Sequence, residues 1–413
     1  HHGPITHRLG DEAGELAGRW VATKINWDPV NALRQSYLRT KTSGYEDFLE
    51  VMQIRTNSSN NTVYADSSGN IAYFHGNFVP RRDPSFDFQR PVDGSDPRTD
   101  WQGLHEVAET VTLLNPETGW LQNANSTPFT AAGPASPRQA DYPVYMAPDF
   151  ENFRGVQAVR LLEQADDVTL DSLIELAYHP GLPAFEVLIP SLVEAWDRSG
   201  AGGPHGDLKE AIEVLRVWDH QVAADSVAMS LAHFYGAQVL RHGDIPDTVR
   251  GRLHRIEHFA AESPDAERLG HLAAVVAQLE ADFGDWQTPW GEINRFQRLD
   301  GRIDSGFDDA EPSLPVAMAS GRWGALASYG ARAKDTKRIY GVAGNSFVAV
   351  VEFGDRVQAK SLLAGGQSGD PSSPHFDDQA QRYVDRQFKD VAYYREDIKQ
   401  RARRTYKPGI RSQ

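Results

Sequence analysis

A chain of 413 residues, 40% apolar and 24% charged, is long enough for one large domain or two to three ordinary ones, and its net charge of −15 argues against nucleic acid or an anionic membrane as partner. No apolar run reaches the roughly 18 residues that a membrane span needs. The lack of cysteine excludes a cysteine nucleophile, thiolate metal sites and disulfides.

The opening His1-His2-Gly3-Pro4, with neither Met nor an apolar leader, reads as a tag remnant, a processed end or the ordered part of something longer. Residues 1–28 alternate short apolar pieces with charges and suit edge strands. Asp28-Pro29 starts a helix through Leu38, with proline at the first turn, where its missing N–H costs nothing. Ser43-Gly44-Tyr45-Glu46 has the form of a capping box and opens a second helix to about Ile54, with Phe48, Leu49 and Met52 on its apolar face. Thr62-Val63-Tyr64-Ala65 and Ile71-Ala72-Tyr73-Phe74 flank the turn formers Asp66–Asn70 and predict a hairpin. Its flanks are unusual: Ser58-Ser59-Asn60-Asn61 leads into one strand, and Pro80-Arg81-Arg82 leaves the other.

Residues 83–150 are rich in loop signals, and Trp101, Trp120, Tyr142 and Tyr145 are expected to anchor them by burying their rings. From Asn152 the pattern turns helical. Thr169 caps a helix closed by Pro180, and further helices are expected at 183–197, 207–218, 222–240, 244–261 and 264–283, with Ser199–Gly206 as the best internal linker. Ser346–Phe353 is the strongest strand pattern and is expected to be buried on both faces. A Gly/Ser/Asp loop at 364–374 and a polar tail helix follow. The resulting division is 1–150, with the hairpin and long loops; a helical lobe, 151–285; and a return to sheet with the tail helix, 286–413.

Few constellations carry chemistry by spacing alone. Gly366-Gln367-Ser368-Gly369-Asp370 misses the nucleophile-elbow pattern by its last residue and reads as a glycine turn. His254 and His258 are one helical turn apart without the glutamate of a zinc-protease motif, which favours a solvated face. Asp93-Gly94-Ser95-Asp96 lacks the length and terminal glutamate of a calcium loop and reads as a turn. Asn57-Ser58-Ser59, Asn60-Asn61-Thr62 and Asn125-Ser126-Thr127 fit the glycosylation sequon, the first two as by-products of one Asn-rich cluster. At the hairpin, a neutral amide beside a strand end makes a good oxyanion donor, and an arginine on the adjoining strand can hold that amide or steady the developing charge; a structural turn fits the same spacing.

Taken in order, His2-Gly3-Pro4-Ile5, Asn61–Asp66 with Gly69–Tyr73, Pro80-Arg81-Arg82 leading to Pro91–Gly94, Trp101-Gln102-Gly103-Leu104, Leu114-Asn115-Pro116 through Asn123–Pro128, and Gly366–Gly369 with His375–Gln379 resemble the penicillin acylase family of N-terminal nucleophile hydrolases. The branch includes acylases acting on acyl-homoserine lactones and lipopeptides. The resemblance implies an α+β fold, a four-layered αββα sandwich with the helical lobe inserted. It implies a precursor that cuts itself into α and β chains, and a β-chain N-terminal serine that attacks an amide to form an acyl-enzyme, its own α-amine serving as base through a water. By this resemblance Asn61 matches the oxyanion-hole asparagine and Arg82 the arginine that supports it, with Arg81 as the alternative for the second.

In the family the His-Gly-Pro motif lies well inside the β chain. The nucleophile, the second oxyanion donor and most of the acyl pocket would therefore belong to the remainder of the β chain and to the α chain. These are the expected partners, together with a small-molecule N-acyl substrate, and this chain alone is expected to be inert. No cofactor is needed for the chemistry, a structural calcium is compatible with the resemblance, and export to the periplasm or medium is the family habit. A non-catalytic binding or scaffold protein keeping the acylase sheet is the alternative reading.

Overall fold

The computed structural model describes residues 2–11, 14, 17–25, 28–56, 60–199, 203 and 205–407. The chain's first residue, the Asn57-Ser58-Ser59 sequon and part of the Ser199–Gly206 linker lie outside the described residues. The chain forms two compact units, His1–Glu151 and Asn152–Gln413.

In the first unit the strands expected in residues 1–28 are β1 (Ile5–Arg8) and β2 (Trp20–Ala22), which pair antiparallel with each other. Helix α1 (Pro29–Arg39) is capped by Asp28, which accepts from Asn31 N at 3.2 Å. Helix α2 (Tyr45–Met52) begins one residue later than a capping box requires: Gly44 is the N-cap, and the Ser43 hydroxyl donates to the Asp47 carboxylate at 2.5 Å instead of capping the backbone. It ends at Met52, short of Ile54.

Strands β3 (Thr62–Ala65) and β4 (Ile71–Phe74) form the predicted hairpin, with Thr62 opposite Phe74 and Ala65 opposite Ile71. The turn is pinned by Asp66, whose carboxylate accepts from the Ser68 and Asn70 backbone N–H groups at 2.8 and 3.1 Å and from the Tyr64 hydroxyl at 2.7 Å. A third strand, β5 (Thr112–Leu114), comes from the loop-rich stretch and adds to β4. Ala72, Tyr73 and Phe74 are therefore buried in the central strand. On one side, Phe48 and Met52 of α2 pack against Ala72, Phe74 and Val107. Beyond β5 the loops are held by a small cluster of Val79, Val111, Met146 and Ala147, while the four aromatic anchors are half-buried and not fully enclosed.

The second unit is built on α3 (Phe153–Leu162), α4 (Leu170–Ala177), α5 (Pro183–Ser199), α6 (Lys209–Arg216), α7 (Val227–His242), α8 (Arg252–Glu262), α9 (Asp265–Phe283) and the short α10 (Trp290–Ile293). Thr169 caps α4 as predicted. Helix α7 starts later than the pattern suggests because Ser226 supplies its cap, accepting from Met229 N at 3.0 Å. One large core, including Leu188, Leu192, Leu231, Tyr235, Phe259, Leu272 and Trp323, holds these helices.

Strands β6 (Asn294–Phe296), β7 (Leu314–Pro315), β8 (Tyr329–Arg332) and β9 (Ile339–Gly344) form a sheet in the order β7-β6-β9-β8, with β6 and β9 parallel. Strands β10 (Phe347–Glu352) and β11 (Gln358–Leu363) follow, then α11 (Ala380–Val384), β12 (Lys389–Asp390) and α12 (Arg395–Arg401), with β10, β11 and β12 forming an antiparallel sheet. The expectation that 346–353 is buried on both faces is corrected. Val350 is buried and Val348 packs into the core around Leu362, but Phe347 and Val351 are 62% and 44% exposed on the opposite face. Its apolar run is therefore covered on one face only, and among the described residues β10 is also an edge strand, paired with β11 alone.

Candidate functional site

Asn61 precedes β3 and its side chain turns back toward the end of β4. Its Oδ1 accepts the backbone N–H of Gly76 at 3.0 Å, which directs the amide N–H2 the other way. Gly76 takes φ +70°, a left-handed conformation that glycine adopts without strain. The Asn61 Nδ2 reaches Asn123 Oδ1 at 3.4 Å, a long contact, and among the described residues it has no other acceptor. The group is thus a half-buried, fixed and neutral donor, as an oxyanion site requires.

The two arginines after β4 divide cleanly. Arg81 is engaged: its guanidinium donates to the Leu104 carbonyl at 3.2 Å and to the Glu109 carboxylate at 2.5 Å, and its backbone bonds to Gly103. Arg82 has no carboxylate partner among the described residues, and its Nε is buried without a hydrogen bond. Burial pulls its pKa below the ordinary value, with the Tyr145 phenol opposing, and the guanidinium lies 5.0 Å from the Phe88 ring centroid. It lines a cleft of about 590 Å3 within the first unit, with Trp20, Lys24, Phe88, Trp101 and the family-like Pro91–Gly94 segment. Asn61 and Arg82 share no hydrogen bond, so the amide is held by Gly76 and not by arginine.

Two histidines of the same unit, His75 and His105, are buried. Burial lowers the pKa of His75, opposed by Asp149 at 3.6 Å and by the Met146 carbonyl. His105 is lowered first by burial and then by Arg81. Its Nε2 lies 3.1 Å from the Tyr145 hydroxyl.

Other sequence candidates take structural roles. Ser368 Oγ accepts the Asp370 N–H at 3.1 Å in a loop whose carbonyls, at Gly366, Ser368 and Phe376, close around the Arg298 guanidinium. Gly366 is needed there because a Cβ would meet the His375 carbonyl oxygen at 2.3 Å. Asp93 and Asp96 close turns through Ser95 and Arg98. His254 is exposed and lies 3.3 Å from Glu257. No three His, Asp or Glu side chains converge as a metal-ligand set among the described residues.

Sequence reasoning passed over Gln35, which bonds Thr56, and Arg39, which bonds Asn77, itself a donor to the Asn60 carbonyl. The available signal was on α1, where Gln35 and Arg39 are four residues apart and share one helix face.

A family profile described as penicillin amidase matches residues 1–400. The chain is 29% identical to penicillin G acylase of Escherichia coli over 167 residues, which is 38% of this chain and 18% of that protein. It is 24% identical over 368 residues to the acyl-homoserine lactone acylase PvdQ of Pseudomonas putida, covering 82% of this chain and 44% of the relative. For PvdQ of Pseudomonas fluorescens the figures are 21% identity over 432 residues, 96% and 53%. The chain thus spans about half the length, or less, of these curated relatives. In structure it is similar to the thermostable penicillin G acylase of Alcaligenes faecalis, with a TM-score of 0.64 and 20% identity over all of this chain and 78% of that one, which establishes a shared mixed α+β fold.

Proposed function

Since the chain belongs to the penicillin amidase family, we propose that it is part of an acylase that hydrolyses an N-acyl amide bond, with Asn61 as an oxyanion donor and Arg82 as the arginine that supports the site. The reading includes the four-layered αββα arrangement and a serine nucleophile carried by sequence outside this chain. The serine Oγ adds to the amide carbon and the carbonyl electrons move onto oxygen. The Asn61 Nδ2–H donates to that oxygen as its charge grows. Collapse breaks the C–N bond, and the amine departs with the proton released from the serine hydroxyl. Water then hydrolyses the acyl ester.

The observation that carries the proposal is the Gly76 N–H bond, at 3.0 Å, that turns the Asn61 amide donor outward. A neutral side-chain donor stabilises the oxyanion without surrendering a proton to it. The named substrates of the relatives, penicillin G and acyl-homoserine lactones, share an N-acyl amide, and that common bond defines the substrate class proposed here. The test is amide hydrolysis by the complete, processed enzyme on a panel of N-acyl amides, with Asn61→Ala as control. A folded enzyme with no activity on any of them would instead support a non-catalytic scaffold.

A further inference from the structure

Helix α1 is inverted relative to an ordinary surface helix. Val30, Leu33 and Tyr37 lie on its exposed side, while Gln35 is completely buried and Arg39 is half-buried. A buried amide and a desolvated guanidinium are costly unless their hydrogen bonds are made. Here the Gln35 amide is spent on Thr56 and the Arg39 Nη2 on Asn77, while the Arg39 Nε stays buried without a hydrogen bond among the described residues. The Gln35 Oε1 accepts from Thr56 N at 2.9 Å and from the Thr56 hydroxyl at 3.0 Å. One turn along the helix, Arg39 Nη2 donates to Asn77 Oδ1 and reaches the Met52 sulfur at 3.2 Å. That bond sets the orientation of the Asn77 amide, whose Nδ2 donates to the Asn60 carbonyl at 3.2 Å. Asn77 is 4% exposed, and the Arg39 guanidinium carbon lies 6.0 Å from the Phe48 ring centroid.

From these contacts, and resting on the assignment of Asn61 as the oxyanion donor, we infer that Arg39 and Asn77 are positioning residues for that donor. Gly76 holds the Asn61 side chain, and Asn77, its neighbour, holds the peptide that precedes Asn61. The two bonds come from consecutive residues and fix amide and backbone together. Arg39 sets which way Asn77 faces, and Gln35 anchors the upstream end at Thr56. An oxyanion donor loses most of its effect when displaced by a fraction of an ångström, because its stabilisation depends on fixed geometry at the moment charge develops.

The experiment is a double-mutant cycle in the complete, processed enzyme, read as kcat and KM on an N-acyl amide. Asn77→Ala should lower kcat by about ten- to fiftyfold with KM changed less than about threefold. In the Asn61→Ala background the same substitution should cost less than about twofold, because its effect runs through Asn61. Arg39→Met keeps an unbranched apolar side chain, removes the donor and should reproduce the kcat loss. Losses in Asn77→Ala and Asn61→Ala that multiply would overturn the inference while leaving the acylase reading intact, as would an unchanged kcat in both Asn77→Ala and Arg39→Met. Two variants that only fail to fold would assign the pair to structure and overturn it as well. A fully active Asn61→Ala would instead remove Asn61 as the oxyanion donor, the assignment on which the inference rests, and leave the acylase reading standing.

Discussion

The backbone N–H of Gly76 and the Oδ1 of Asn61 lie 3.0 Å apart, and this contact decides which end of the Asn61 amide faces outward. Reversing the amide would set N–H against N–H, so the donor direction follows from the bond itself. In the complete enzyme, Asn61→Ala is expected to reduce kcat by about 10²–10³, the usual loss for one oxyanion donor. Asn61→Asp keeps the acceptor for Gly76 but places a carboxylate where the oxyanion forms, and should be at least as damaging. Steady-state kinetics on purified, correctly processed variants measures both. Turnover close to wild type in a folded Asn61→Ala enzyme would refute the role.

The division of labour between the two arginines gives a second prediction. Arg81 is tied to Leu104 and Glu109, whereas the Arg82 Nε is buried without a bond among the described residues. Arg82→Ala should therefore lower kcat/KM by about tenfold or more with little change in Tm, through loss of the supporting cation. Arg81→Ala should do the reverse, lowering Tm with kcat nearly retained. Thermal melts and kinetics on the same preparations separate the cases, and an exchange of the two phenotypes would move the supporting role to Arg81.

Local signals were legible where they act over a few residues. The cap at Asp28, the proline at α1's first turn and both strands of the hairpin could be read from the sequence because turn formers and alternating apolar residues act locally. The Ser43 cap failed by one residue because its hydroxyl found the Asp47 carboxylate, a competitor the spacing also allows. Strand β10 looked buried because an apolar run does not say how many of its faces find a partner in the same chain. Asn61 was visible only through resemblance, and its surroundings were not visible at all. The bond from Arg39 to Asn77 joins residues 38 apart in sequence, and neither forms a recognisable motif.

The helical core offers a test of packing independent of any catalytic reading. Gly236 sits in the middle of α7, and a Cβ there would meet Trp323 Cη2 at 2.6 Å and Cζ3 at 2.9 Å. Both are atoms of a large, fully buried ring held by the Trp323 Nε1 bond to His233 Nδ1 at 3.2 Å. Helix propensity favours alanine by up to about 1 kcal/mol, but overpacking a rigid core costs about 1–3 kcal/mol. Gly236→Ala is expected to be net destabilising in urea unfolding. A stabilised variant would show that Trp323 can move aside.

The same histidine makes stability depend on acid. His233 is buried against Trp290 and Trp323, and burial, with a smaller effect from Arg322, pushes its pKa from 6.5 down to about 3. Its Nδ1 accepts the Trp323 indole N–H, so the proton of the neutral ring is on Nε2, and protonating Nδ1 would break that bond. The folded value is depressed, so the unfolded chain binds the proton first. The contribution is complete above pH 6.5 and is lost progressively as pH falls from there toward 3. His75, His105 and His220 are also lowered, chiefly by burial, and act in the same direction. Tm should therefore fall between pH 7.5 and pH 5 (about one unit above and one and a half below the ordinary histidine value). His233→Gln, which cannot take up a proton, should show a shallower fall over that range even if it starts from a lower Tm. Parallel profiles for the two proteins would mean that His233 is no more depressed in the folded state than in the unfolded chain.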